Sequence, residues 1–189
     1  MLTGLLRMEL ELDTEQKAGQ ARELCEKGLW PQVMALAQEW HAENPADARA
    51  LFYQGVALAA SGRFVEAETA YRRSLRLDAT DFKAWNNLAG ILFESLKKPA
   101  EAVHCMQQAL KVDPQNKVGW ANLTSMVGRL GRHDKALEFA ERALTLDTNF
   151  VEAHLHKAAA AKALGKAEIV REVCAALATI KPENFRRAR

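Results

Sequence analysis

The residues here whose types could do chemistry are five histidines, three cysteines and a small set of asparagines. The histidines are His41, His104, His133, His154 and His156. Only His154 and His156 are close in sequence. Two positions apart on a helix they point to different faces, whereas a helical metal pair needs positions i and i+4. Cys25, Cys105 and Cys174 are far apart and odd in number, so they offer neither a disulfide framework nor a CxxC pair. Half-buried packing in a reducing compartment is the expected role for them. No GxxxxGK[ST] phosphate loop and no GxSxG nucleophile elbow occurs. Asp78, Asp113 and Asp147 recur at the ends of helical stretches, where turn and capping roles are expected. No catalytic residue, metal site or cofactor is therefore expected. Asn86, Asn87 and Asn122 remain, and each can both give and accept hydrogen bonds. That is the chemistry needed to hold an extended peptide backbone.

Those side chains must be positioned by helices. With 49% hydrophobic and 26% charged residues the chain can bury a core, and abundant Ala and Leu with few Gly and Pro favour an all-α protein. A formal net charge of +2 argues against a dedicated nucleic-acid binder. No apolar run approaches the roughly 20 residues that span a bilayer. The start, MLTGLLRMELELD, lacks the full apolar region and cleavage site of a signal peptide, so a cytoplasmic location is expected.

Self-comparison reveals a period. The position of Trp85 recurs as Leu51, Trp120 and His154, which places His154 in the core. Ala102 recurs as Val33, Ala67, Ala136 and Val170, and a turn glycine as Gly28, Gly62, Gly131 and Gly165. The interval is 34 residues, except that any crossing the turn before Pro99 gains one. One residue is thus inserted between 95 and 99, where Lys97-Lys98-Pro99 replaces the glycine turn. Five units follow: 14–47, 48–81, 82–116, 117–150 and 151–184, forming one domain over 14–184. Residues 1–13 fall outside the period and are expected to pack as a cap through Leu2, Leu5, Leu6, Met8, Leu10 and Leu12, or to form an interaction segment. A basic tail occupies 185–189. In the first unit small Ala37 then large Trp40 stand where the third has large Met106 then small Ala109, a swap that can conserve volume at a helix crossing.

A helix–turn–helix unit of this length with Trp85-x2-Leu88-Ala89-x2-Leu92, Ala102-x3-Met106 and a terminal Pro114 resembles the tetratricopeptide repeat. The resemblance implies a right-handed superhelical solenoid of antiparallel helix pairs whose first helices line a concave groove. Carried over by position, that groove would present Arg22, Arg49, Phe52, Tyr53, Val56, Lys83, Asn86, Asn87, Phe93, Asn122, Ser125 and Arg129. His156 would share the row of Tyr53, Asn87 and Asn122. The implied function is a protein–protein interaction scaffold that binds a partner peptide or helix in this groove. The alternatives are a self-associating assembly module, a homo-oligomer formed through its terminal repeats, and a regulatory repeat domain of a larger enzyme complex.

The family's carboxylate clamp for chaperone C-termini needs lysine and asparagine, then asparagine, then lysine and arginine. Its places hold Phe52, Val56, Asn87, Val118 and Asn122, or one unit earlier Ala18, Arg22, Tyr53, Lys83 and Asn87. Only Asn87 fits the first register and only Lys83 fully fits the second. An acidic chaperone C-terminal peptide is therefore expected to show no saturable binding in calorimetry. A saturable isotherm that vanished in Asn87→Ala would reverse this reading.

Overall fold

A computed structural model describes residues 2–180, with side chains from Asp13 onward. Its described residues form ten α-helices and no strand: α1 (Leu2–Glu26), α2 (Trp30–Glu43), α3 (Ala48–Ala60), α4 (Phe64–Leu77), α5 (Phe82–Glu94), α6 (Pro99–Val112), α7 (Lys117–Arg129), α8 (His133–Leu146), α9 (Val151–Ala163) and α10 (Ala167–Thr179). The chain divides into two compact units, Met1–Lys97 and Lys98–Arg189. In the first, each of α1 to α4 packs on the helix that follows it; in the second, each of α6 to α9 does so. The third repeat thus contributes one helix to each unit. The backbone of the first helix runs back without a break to Leu2. The side chains expected to form a cap before residue 13, Pro182 and the basic tail lie outside the described residues.

Local chemistry starts and stops these helices. Asp47, Asp81 and Asn116 cap α3, α5 and α7, each accepting a backbone N–H from the first turn. After the second helices, Asp78, Asp113 and Asp147 each accept the N–H two residues on, the turn role expected for them. Gly28, Gly62, Gly131 and Gly165 adopt φ of +69°, +77°, +75° and +70°. Lys97 takes the corresponding seat with φ 54°. The glycine is missing there, but the left-handed turn is not, at a cost of about 1–2 kcal/mol for a side chain. The Lys97 ammonium donates to the Glu94 carbonyl at 2.6 Å, a favourable charge at the end of α5 that offsets part of that cost.

A second recurring device explains the periodic Trp85 position. Trp85 Nε1 donates to the Ala79 carbonyl at 2.9 Å, and Trp120 Nε1 to the Pro114 carbonyl at 2.9 Å. In the last repeat His154 Nε2 donates to the Thr148 carbonyl at 2.8 Å. Each bond reaches back six residues and straps the entering turn to its helix. His154 is 7% exposed, inside the core as its place in the period requires. The bond fixes its tautomer, with the proton on Nε2.

The core is built from close helix approaches. Ala18, Ala21, Val33, Ala37, Trp40, Ala50, Tyr53 and Ala57 form one buried cluster in the first unit. Small Ala37 and large Trp40 are both fully enclosed, so the swapped order of sizes fills the crossing. At the next crossing Gly55 faces a ring rather than another small side chain: a Cβ there would lie 2.7 Å from Tyr71 Cδ1 and Cε1. Buried Ser74 donates to the Ala48 carbonyl at 2.8 Å, and buried Thr124 to the Trp120 carbonyl at 2.8 Å, so neither hydroxyl is stranded.

Two stability measurements check this account. Gly55→Ala should lower the urea unfolding free energy by about 1–3 kcal/mol through overpacking. Adding Tyr71→Leu should cost less in that background than in wild type, a coupling absent if the two residues do not collide. His154→Phe should lose about 1 kcal/mol with the strap, while His154→Trp, which keeps a donor, should fold near wild-type stability. Equal losses in the two His154 variants would remove the strap as the reason for that side chain.

Candidate functional site

The predicted groove residues fall into two groups. Arg22 on α1, Arg49, Phe52, Tyr53 and Val56 on α3, and Lys83, Asn86, Asn87 and Phe93 on α5 belong to the first unit; Asn122, Ser125 and Arg129 on α7 belong to the second. Each face stands by itself.

In the first unit an aromatic and amide cluster forms. The Phe52 ring meets Tyr53 edge-on at 5.2 Å and Tyr71 at 6.0 Å between centroids. Asn87 Nδ2 donates to the Tyr71 hydroxyl at 3.5 Å, and Asn86 Nδ2 donates to Asn87 Oδ1 at 3.4 Å. Burial pushes the Tyr71 phenol far above its usual range, so it stays neutral and polar at the end of this chain of amides. Phe52, Val56, Asn86 and Asn87 are half-buried, and Arg22 and Lys83 are exposed. These are the groups a ligand could reach.

Three predicted residues are engaged otherwise. Tyr53 is buried, stacks on Trp40 at 6.1 Å and donates to the Ala18 carbonyl at 3.4 Å. Phe93 is 7% exposed and belongs to the packing. Arg49 pairs with Asp47 at 2.9 Å and with Glu15, and its guanidinium lies 5.4 Å from the centre of the Trp40 ring. Its hydrogen bonds, Asp47 first, hold it firmly cationic. Its local contacts make it a strut between α1 and α3 rather than a loose groove cation.

In the second unit Ser125 and Arg129 line a cavity of about 220 Å³ together with His133 and His156. The rest of its lining is mostly small: Thr124, Gly128, Ala136, Ala159 and Ala160. Burial pushes the His156 imidazole below its usual range, against a smaller upward effect of Glu152, so His156 is neutral at pH 7. Asn122 is half-buried one turn before Ser125. Val118 on α7 and Leu155 on α9 are 45% and 52% exposed. His156 and His154 face different surroundings, as their spacing requires. His133 was not among the predicted groove residues, because the groove rows were drawn on first helices alone. It opens a second helix, four residues past Arg129, and a count across the turn would have found it.

The cysteines spread over three environments: Cys25 is half-buried, Cys105 buried and Cys174 exposed. The exposure of Cys174 departs from the expected half-buried role. Among the described residues no group of His, Cys, Asp and Glu could hold a metal ion, and no helix is long and apolar enough to cross a membrane.

Antiparallel helices, each packed on the next within its unit and recurring at one interval, define a helical-repeat protein. Family models described as tetratricopeptide repeat match residues 35–82, 82–116 and 128–150, together more than half of the chain. The chain belongs to the tetratricopeptide repeat family, and its fold is an all-α solenoid of that type. It is 31% identical over 106 residues to a Protein STIP1 homolog of Dictyostelium discoideum, an alignment covering 56% of this chain and 18% of that protein. The curated relatives it matches are thus far longer than this chain, which spans less than a fifth of each. A structure from the functional characterization of Pseudomonas aeruginosa pilF superposes with a TM-score of 0.82 at 19% identity, over 94% of this chain and 81% of that one. The structure described as YrrB, a TPR protein with an unusual peptide-binding site, superposes with a TM-score of 0.71 at 16% identity, over 87% and 84%.

Proposed function

We propose that this chain is a non-enzymatic scaffold that binds a partner peptide or helix on the inner face of its first helices, without a chaperone carboxylate clamp. The observation that carries the reading is the half-exposed Phe52 ring beside the Asn86–Asn87–Tyr71 chain. An aromatic anchor next to amide donors and acceptors suits a peptide, whose side chains are apolar and whose backbone needs both hydrogen-bond senses. Lys83 and Arg22 flank it as exposed cations. Asn87, the single residue matching the clamp in its first register, already donates to Tyr71, which supports a ligand other than a chaperone terminus. The likeness to a solved repeat protein described as having a peptide-binding site points the same way.

Selection of displayed peptides on the immobilised chain, followed by calorimetry with the winners, tests this. Phe52→Ala and Asn86→Ala should each weaken binding at least about tenfold, or 1.4 kcal/mol. Their melting curves should stay cooperative. Selected peptides that bind both variants as tightly as wild type would place recognition elsewhere, and the reading would fail.

A further inference from the structure

The cavity between α7, α8 and α9 is a poor place for a proton. Two imidazoles line it, His133 from α8 and His156 from α9. Among the described residues neither makes a hydrogen bond or an ion pair. No carboxylate lines the cavity, and α10, which packs on α9, adds no side chain to it. His156 also stands in the row of Tyr53, Asn87 and Asn122, none of which changes charge near neutral pH. The titratable group belongs to the second unit alone.

The charges around His156 come from three helices. From α7 comes Arg129, which has an interaction of its own. From α8 comes His133, the first residue of that helix, so the positive end of α8 bears on the same space. Asp134 beside it is turned to Lys166 at 3.6 Å. On α9 itself Lys157 is paired with Glu141 of α8 at 3.2 Å, and Glu152 stands one turn before His156. Among the described residues Glu152 is the acid that acts on His156, and its effect is smaller than that of burial.

We propose that His156 is an acid-sensitive latch: neutral, it seats α9 against α7 and α8, and protonated, it lets α9 and α10 lift away. An imidazolium here would carry a new N–H donor with no carboxylate in the lining to accept it, beside the positive end of α8. Burial accordingly holds the imidazole below its ordinary 6.5. The direction follows. Once α9 is released, His156 meets water and takes a proton more readily than when seated. Seating is therefore favoured in full above pH 6.5 and weakens as the pH falls below it. One proton changes this equilibrium by at most about tenfold per pH unit. The release is local, because α7 and α8 pack on each other without α9. Leu155 and His156 leave with α9, so the face that the second unit offers a partner is present at neutral pH and withdrawn in mild acid. The latch is independent of the peptide-binding reading.

Native-state hydrogen exchange on the full chain, at about pH 7.5 and about pH 5.5 and corrected for intrinsic exchange, tests this. The amides of Ala158, Ala159, Ala160 and Ala161 on α9 should lose more protection in acid than the amides of α3 in the first unit. His156→Gln, which cannot take the proton, should remove that extra loss. The His156 Cε1–H resonance of the wild type should titrate below 6.5, a reading that needs no variant to fold. Equal protection of α9 at both pH values, the same extra loss in His156→Gln, or titration of His156 at or above 6.5 would each overturn the proposal.

Discussion

Everything in this fold depends on how closely two helices of a repeat can approach. An isolated helix pair of this length is marginal, and each repeat buries its apolar stripe only by lying against its neighbour. The approach is set by size at a few points. Val33, Ala67 and Ala136 are enclosed at equivalent places, and at Gly55 there is no side chain at all. What faces Gly55 is large, the Tyr71 ring, and Trp40 is fully enclosed beside small Ala37 and Ala50 in the same cluster. The sum of the sizes is held while their order changes. Helix spacing, and with it the surface offered to a partner, follows from that sum.

Much of this was legible because its causes are local or periodic. The capping acids and amides, the left-handed turn positions and the small residues recur at one interval, and each has a steric or hydrogen-bonding reason visible in the residue itself. Lys97 shows where such legibility stops. Its residue type hides a conformation imposed by the turn on both sides of it. His154 was readable as a core position, but its bond to the Thr148 carbonyl depends on where that turn runs.

The site was less legible than the fold, for a physical reason. Position on a helix says which way a side chain leaves the backbone, not what it meets. Arg49 leaves toward the groove row, yet Asp47, Glu15 and Trp40 are within its reach and hold it. Phe93 leaves the same way and is buried. His133 lies on a second helix and still borders the same cavity as Ser125. The two units accordingly differ in character. The first presents an aromatic ring among amides, the second a cavity lined by small residues, a serine, an arginine and two histidines. A partner touching both would be read by two unlike chemistries.

The contact between Gly55 and Tyr71 carries a consequence for how such a chain can change. Tandem repeats invite the view of interchangeable cassettes, duplicated and shuffled at will. Here the missing side chain on α3 admits a ring from α4, and the hydroxyl of that ring is met by Asn87 on α5. Three successive helices are thereby matched to one another. A cassette cut at the repeat boundary would carry the ring away from its amide, or leave the amide facing a side chain of the wrong length. Recombination in this lineage would be tolerated in blocks that keep α3, α4 and α5 together, so the unit of inheritance here is larger than the unit of repetition.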